Sequence, residues 1–376
     1  MSWRTGAAAA LAAALLLAGC VTPGPDPGPA TSSTGTSSAS SSASSSAPPS
    51  SSSAPGPTVS STPGSVHLTA AGDYGSDPVR AAGVLTALGR AGQDAHLALG
   101  DLSYGEAAQE GAWCDLVTSK VGRSLPFELV SGNHESDGEN GSIDAFASCL
   151  PNRLPGLVGT YGREYYVDLP QRAPVVRVLM VSPGLTFPDG DWDYAVGSDH
   201  YAWTERAIDG ARAAKIPWVV VGMHKPCLSL GQYACDIGPD LLHLLVSKRV
   251  DLVMSGHEHL YQRTAQLAEG AQCTRIAIDS FLPGCVVDRT RSLTAGAGTV
   301  FVTAGTGGAV LRPVSTFDSE AGYFAASAGS GTEPPAYGYL DLRATARNLR
   351  VSLVRSVGGS SADAFVLTRR GAPPSP

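Results

Sequence analysis

Basic residues are in short supply in this 376-residue chain. Lys and Arg total 26 against 33 Asp and Glu, a formal net charge of −7, and only four of the 26 are Lys. A protein that grips a polyanion needs a basic excess, so nucleic acid is excluded as a main partner. Charged residues of both signs make up 16%, below the ~25% usual in globular proteins. Long apolar runs are missing too, save one at the N-terminus, which excludes a multi-span membrane protein. The seven cysteines contain no CxxC pair, so a thiolate metal site has no support. Neither an internal repeat nor a second linker interrupts the later part of the chain.

What is present begins with two segments that are not fold. MSWRTGAAAALAAALLLAGC (1–20) places Arg4 ahead of an apolar core from Ala7 to Leu17 and ends in small residues and Cys20, the pattern of an export signal. Leu17-Ala18-Gly19-Cys20 resembles the lipobox of bacterial lipoproteins. That resemblance implies cleavage before Cys20 and lipidation of its sulfur, which would hold the protein on the outer face of a bacterial cell membrane. Plain secretion is the alternative. In 21–64, every residue except Val21, Asp26 and Val59 is Ser, Thr, Pro, Gly or Ala. Such a stretch buries nothing and is expected to be a disordered linker with a reach of ~35 Å. Residues 65–376 remain as one folded domain. Six cysteines fall in it, and an even count in an exported chain favours disulfides. Sequence proximity favours Cys114–Cys149, Cys227–Cys235 and Cys273–Cys285.

The domain alternates strand-like and helix-like segments. Apolar runs at 66–73, 96–104, 127–135, 175–182, 218–225 and 251–259 read as strands buried on both faces. Later strands are expected at 298–308, 337–344, 349–356 and 364–369. Helices are expected near 78–89, 199–214 and 236–249. The fold class is α/β, with helices outside the sheets.

Five of the early runs end in Gly and ligand-type side chains: Gly72-Asp73, Gly100-Asp101, Gly132-Asn133-His134, Gly222-Met223-His224 and Gly256-His257-Glu258-His259. Strand C-termini are where α/β sheets build sites, and Gly lets the following turn bend sharply. Carboxylate, amide oxygen and imidazole together suit first-row transition ions better than Ca²⁺, which takes oxygen alone. Asp73, Asp101, Asn133, His224, His257 and His259 are too many donors for one tetrahedral ion. They suit two ions about 3.5–4 Å apart that share a carboxylate. Tyr104, three residues after Asp101, is within reach of the same centre, and a phenolate favours a hard ion such as Fe(III).

GDYG (72–75), GDLSY (100–104), GNHE (132–135), VVVGMHKP (219–226) and GHEH (256–259) resemble, in order, the five motifs of the purple acid phosphatases. Those enzymes are members of the calcineurin-like metallophosphoesterase superfamily. SDHYAWTERAI (198–208) and FVTAGTGG (301–308) are similar to family segments as well. The resemblance implies a four-layer αββα fold, two mixed sheets flanked by helices, with the site at the sheet edge. It implies that Asp73, Tyr104 and His259 bind Fe(III), that Asn133, His224 and His257 bind a divalent Fe, Zn or Mn, and that Asp101 bridges the two ions. His134 is implied as the catalytic residue over the phosphate, stabilising the transition state and protonating the leaving oxygen.

The implied activity is acid phosphatase-type hydrolysis of a small phosphorylated substrate by a metal-activated hydroxide. A phosphodiesterase or nucleotide hydrolase on the same fold is the alternative. A non-catalytic surface module that binds phosphate or metal is the second. Beyond the lipid anchor, no membrane contact is expected. CLSLGQYACDIG (227–238) departs from the better-known plant members, which carry a His-His pair there. The substrate contacts therefore differ, and a loop closed by Cys227–Cys235 is expected to stiffen this rim. His67, His96, His200 and His243 match no motif and read as structural. Lys225 reads as a solvated surface charge, and Glu258 as exposed or as a support for its histidine neighbours.

Overall fold

Strands that are covered on both sides need apolar residues at every position, and the early runs supply them. In the computed structural model, which describes residues 64–370, Ala95–Leu99, Phe127–Val130, Val176–Met180, Trp218–Gly222 and Leu252–Ser255 are buried along their whole length. Successive residues serve different layers. Val178 and Val220 face the space between the two large sheets, while Leu179, Val219 and Val221 pack under helices on the outside.

One sheet has seven strands, in the order Ser292–Thr294, Ser361–Thr368, Asn348–Arg355, Gly338–Thr345, Ser65–Ala71, Ala95–Leu99, Phe127–Val130. The other has eight, in the order Phe324–Ala328, Tyr261–Thr264, Val300–Ala304, Leu252–Ser255, Trp218–Gly222, Val176–Met180, Glu164–Leu169, Val158–Thr160. Both are mixed. Ser65–Ala71, Ala95–Leu99 and Phe127–Val130 run parallel, as do Val176–Met180, Trp218–Gly222, Leu252–Ser255 and Val300–Ala304, while Gly338–Thr345, Tyr261–Thr264 and Glu164–Leu169 pair antiparallel beside them and the edge strand Ser292–Thr294 runs parallel to Ser361–Thr368. Helices Pro78–Leu88 and Glu110–Val121 pack on the outer face of the first sheet through Val84, Leu85, Leu88, Trp113 and Val117. Asp199–Ala213 and Pro239–Ser247 cover the second through Ile208, Ala211, Leu241 and Leu245. The result is the expected four-layer order of helix, sheet, sheet, helix.

This arrangement brings the C-terminal ends of the parallel strands of both sheets to one edge. There the sheets are joined by backbone hydrogen bonds from Gly72 N to Ala304 O at 3.0 Å, and from Gly307 N to Gly72 O at 2.9 Å. Gly256 N donates to His224 O at 2.9 Å, tying neighbouring strand ends of the second sheet. The first helix is capped by Asp77, whose Oδ1 accepts from Val79 N at 2.9 Å. Asp73 takes no part in that cap and lies at the edge, where its Oδ2 accepts from His257 N at 2.7 Å.

Helices Glu110–Val121 and Ile143–Cys149 are additional to those read from sequence. Ile143–Cys149 is only seven residues long, and the apolar residues of Glu110–Val121 do not gather into a clear stripe. The structure joins Cys114 to Cys149, which links these two helices, and pairs Cys227 with Cys235 and Cys273 with Cys285. Among the described residues no helix is long and apolar enough to cross a membrane. The export signal, Cys20 and the linker up to residue 63 lie outside the described residues.

Candidate metal centre

Asp73, Asp101 and His257 each adopt a left-handed backbone, with φ of +60°, +49° and +67°. Such angles disfavour residues with a Cβ and persist where the surroundings over-determine them, typically at sites. Each residue sits just past its strand, where the chain must turn inward. Gly100, at φ +81°, makes the same turn before Asp101. Gly132 is different: its φ is −98°, which any residue tolerates. It is glycine for space, because a Cβ there would lie 2.1 Å from Asp101 Oδ1 and 2.3 Å from Asp101 N. Gly256 likewise leaves room for Asp73, whose Oδ2 would be 2.6 Å from a Cβ. Close approach, more than bending, explains the glycines of the strand ends.

The side chains form two donor clusters that share Asp101. In the first, His224 Nε2 lies 3.1 Å from each of Asp101 Oδ1, Asn133 Oδ1 and His257 Nδ1. The other nitrogen, His224 Nδ1, donates to Leu99 O at 2.9 Å, which leaves Nε2 to face the cluster. In the second, Tyr104 Oη lies 3.0 Å from Asp101 Oδ2, 3.3 Å from Asp73 Oδ1 and 2.8 Å from His259 Nε2. His259 Nδ1 donates to Val310 O at 3.1 Å, so here too Nε2 faces the cluster. Lone pairs from six side chains therefore crowd around one carboxylate. Asp73 and His224 are fully buried, and Asp101, His257 and His259 nearly so.

Electrostatics report the same crowding. Burial opposes a charge on His224, but the Asp101 carboxylate and its hydrogen bond outweigh it and raise the imidazole to about 9. Burial and the cationic His224 push His257 down to about 2. Burial, then the charges of Asp73 and Asp101, push the Tyr104 phenol well up. The shifts at His224 and Tyr104 share one origin, the close approach of the Asp73 and Asp101 carboxylates to buried rings. Converging oxygens and nitrogens with their outer atoms already hydrogen-bonded fit metal cations and have little other use.

Supporting residues surround the donors. Glu135 is buried and straps two strand ends together: Gly132 N donates to its Oε2 at 2.8 Å, Asp101 N at 3.2 Å, and Leu102 N to its Oε1. His134 stacks on Tyr104 with centroids 4.2 Å apart, and its Nε2 stands 3.7 Å from Asp101 Oδ2. His134 Nδ1 meets Asn140 Oδ1. Tyr233, inside the loop closed by Cys227–Cys235, stacks on His257 at 3.9 Å and accepts a hydrogen bond from Arg312 Nη2 at 3.2 Å. Asp236 Oδ2 approaches His257 Nε2 to 3.8 Å, an atom that has no hydrogen-bond partner among the described residues.

One expectation about the rim needs correction, and for Glu258 the supporting alternative holds. Lys225 is not a solvated charge, since its Nζ lies 3.3 Å from Asp236 Oδ2 and only 17% of the side chain is exposed. Glu258 is not exposed. It is fully buried and accepts from Ser229 Oγ at 3.0 Å and from Tyr233 N at 2.6 Å, so it fixes the Tyr233 loop. The four histidines outside the motifs have local partners: Asp341 for His67, Thr69 and Tyr74 for His96, Glu164 for His200 and Glu269 for His243. Glu135, Asn140, Tyr233, Asp236 and Arg312 are additions to the residues read from sequence.

The chain is similar to known proteins in sequence and in fold. The model of the calcineurin-like phosphoesterase family matches residues 68–261. An uncharacterized protein of Mycobacterium tuberculosis is 30% identical over 233 residues, covering 56% of this chain and 41% of that protein. Purple acid phosphatase 18 of Arabidopsis thaliana is 26% identical over 182 residues, covering 46% of this chain and 39% of the plant protein. The matches span about two fifths of the length of these relatives. Purple acid phosphatase PPD1 from yellow lupin seeds has the same fold, with a TM-score of 0.58 at 18% identity over 81% of this chain and 54% of that one.

Proposed function

Because the chain belongs to the calcineurin-like phosphoesterase family, we propose that it hydrolyses phosphate monoesters at two metal ions held by the strand-end donors. The observation that carries this reading is the division of Asp101, whose Oδ1 joins the His224 cluster at 3.1 Å and whose Oδ2 joins the Tyr104 cluster at 3.0 Å. Asp73, Tyr104 and His259 would hold Fe(III). Asn133, His224 and His257 would hold a divalent Fe, Zn or Mn. Asp101 would contact both. Bound there, such ions would supply positive charge for the phosphate oxygens and acidify a water.

The chain's own groups do the rest. Leu99 O and Val310 O fix the tautomers of His224 and His259 by accepting from their Nδ1 atoms. Glu135 and Gly132 hold the Asp101 and Asn133 segments at fixed spacing. His134, whose side chain is 29% exposed, reaches the open side of the cluster, where it can donate a proton to a leaving oxygen. Tyr233, held by Arg312 and Glu258, forms the rim where the plant enzymes carry histidines. The export signal and Cys20 support work on the outer face of the cell membrane, tethered through lipid; that part rests on sequence alone.

The test is a comparison of 4-nitrophenyl phosphate with bis(4-nitrophenyl) phosphate, using protein loaded with Fe(III) and Zn(II). The expected result is a kcat/KM at least ~10-fold higher for the monoester, and loss of turnover on chelation. Preference for the diester would move the assignment to a phosphodiesterase. No turnover of either by fully loaded protein would leave a binding module.

A further inference from the structure

The geometry points to Asn140 as the residue that positions His134 for proton donation. This inference rests on the proposed role of His134 and goes beyond it by naming what sets its reactive nitrogen. Asn140 lies six residues after His134, past the short helix Asn133–Ser136, in a loop that returns to the site. Its backbone N donates to His134 O at 3.0 Å, so the loop closes on the histidine itself. Its side-chain Nδ2 donates to Gly105 O at 2.9 Å, just beyond Tyr104. An amide has one donating end and one accepting end. With the NH₂ committed to a carbonyl, Oδ1 is the end that faces His134 Nδ1, and it can only accept.

The imidazole must therefore carry its proton on Nδ1, in both the neutral and the cationic form. Nε2 is then the atom left to face the cluster, where it stands 3.7 Å from Asp101 Oδ2. The ring plane is set as well, because Tyr104 stacks on it with centroids 4.2 Å apart. The loop is itself anchored. Ser142 N donates to Glu110 Oε1 at 3.0 Å, and helix Glu110–Val121 is linked through Cys114–Cys149 to helix Ile143–Cys149. A carboxylate at 140 would fix the same tautomer but would lose the donor to Gly105 O and add a further negative charge to a site that already holds Asp73 and Asp101. Asparagine fixes the tautomer without that charge.

A double-mutant cycle over Asn140→Ala and His134→Ala tests this, with kcat and KM measured on phenyl phosphate and 4-nitrophenyl phosphate at equal metal content. Phenol is the poorer leaving group and needs the proton more. Asn140→Ala should lower kcat on phenyl phosphate roughly 10-fold at nearly constant KM, and should lower it less on 4-nitrophenyl phosphate. In the His134→Ala background the same change should do nothing. Asn140→Asp keeps the acceptor for His134 Nδ1 but gives up the donor to Gly105 O, so it should restore only part of the loss while keeping His134 protonated at Nδ1. Nitrogen NMR of the zinc-loaded protein should show His134 protonated at Nδ1, with the tautomers mixing in Asn140→Ala. An equal loss in the His134→Ala background, or a His134 protonated at Nε2 in the unaltered protein, would overturn the inference and leave the proposed function standing. Full turnover by His134→Ala itself would remove the proton-donor role, and with it the role of Asn140.

Discussion

Asp101→Asn should abolish turnover, by at least ~10³-fold in kcat, and should lower the metal content of the folded protein. The change is nearly isosteric, so packing is kept. What is lost is specific to the site. Asp101 offers one oxygen to each cluster, at 3.1 Å from His224 Nε2 and 3.0 Å from Tyr104 Oη. An amide offers one oxygen, and its NH₂ would meet a cluster of lone pairs on the other side. The carboxylate charge that raises His224 to about 9 would go too. The measurement is elemental analysis alongside steady-state kinetics. A variant that keeps two ions and more than a tenth of the activity would show that Asp101 does not join the clusters.

Gly132→Ala should be nearly as severe, although it adds only a methyl group and touches no donor chemically. A Cβ at 132 would sit 2.3 Å from Asp101 N and 2.1 Å from Asp101 Oδ1, so backbone must move. The segment cannot give way easily, because Glu135 binds Gly132 N and Asp101 N together. Overpacking of this kind costs about 1–3 kcal/mol, and here the displacement falls on the shared carboxylate. The expected outcome is a loss of ~10²-fold or more in kcat, with reduced metal content. Gly83→Ala is the control. It lies inside helix Pro78–Leu88 with nothing within 4 Å of its added Cβ, and should leave activity unchanged. Normal metal content in Gly132→Ala would mean that the strand end has more slack than these distances allow.

Much of this site is legible in the sequence because of how parallel sheets are built. A strand buried on both faces reads as an unbroken apolar run, so the point where the run stops is visible. Asp73, Asp101, Asn133, His224, His257 and His259 all follow such points. The layer order is legible in part for the same reason, since the runs at 66–73, 175–182 and 218–225 are followed, directly or after a short hairpin, by a helix-like stretch, whereas Leu252–Ser255 leads straight to the strand Tyr261–Thr264. The supporting residues are hidden for equally physical reasons. Glu135 acts through backbone N–H groups, which leave no residue pattern. Asn140 works through a carbonyl and an imidazole brought together by a loop. Tyr233 and Arg312 meet His257 from 24 and 55 positions away, respectively, over segments with no shared periodicity. Lys225 looks solvated only until Asp236 is seen to return beside it. The helix Ile143–Cys149 hides because it is only seven residues long, and Glu110–Val121 because its apolar residues do not line up on one face.

The central claim is that Asp101 stands between two ions. Anomalous diffraction from crystals of the metal-loaded protein, collected at the iron and zinc edges, tests it most directly. The account expects two peaks about 3.5–4 Å apart, one beside Asp73, Tyr104 and His259, the other beside Asn133, His224 and His257. A single peak in active protein, or two peaks that do not share Asp101, would contradict it.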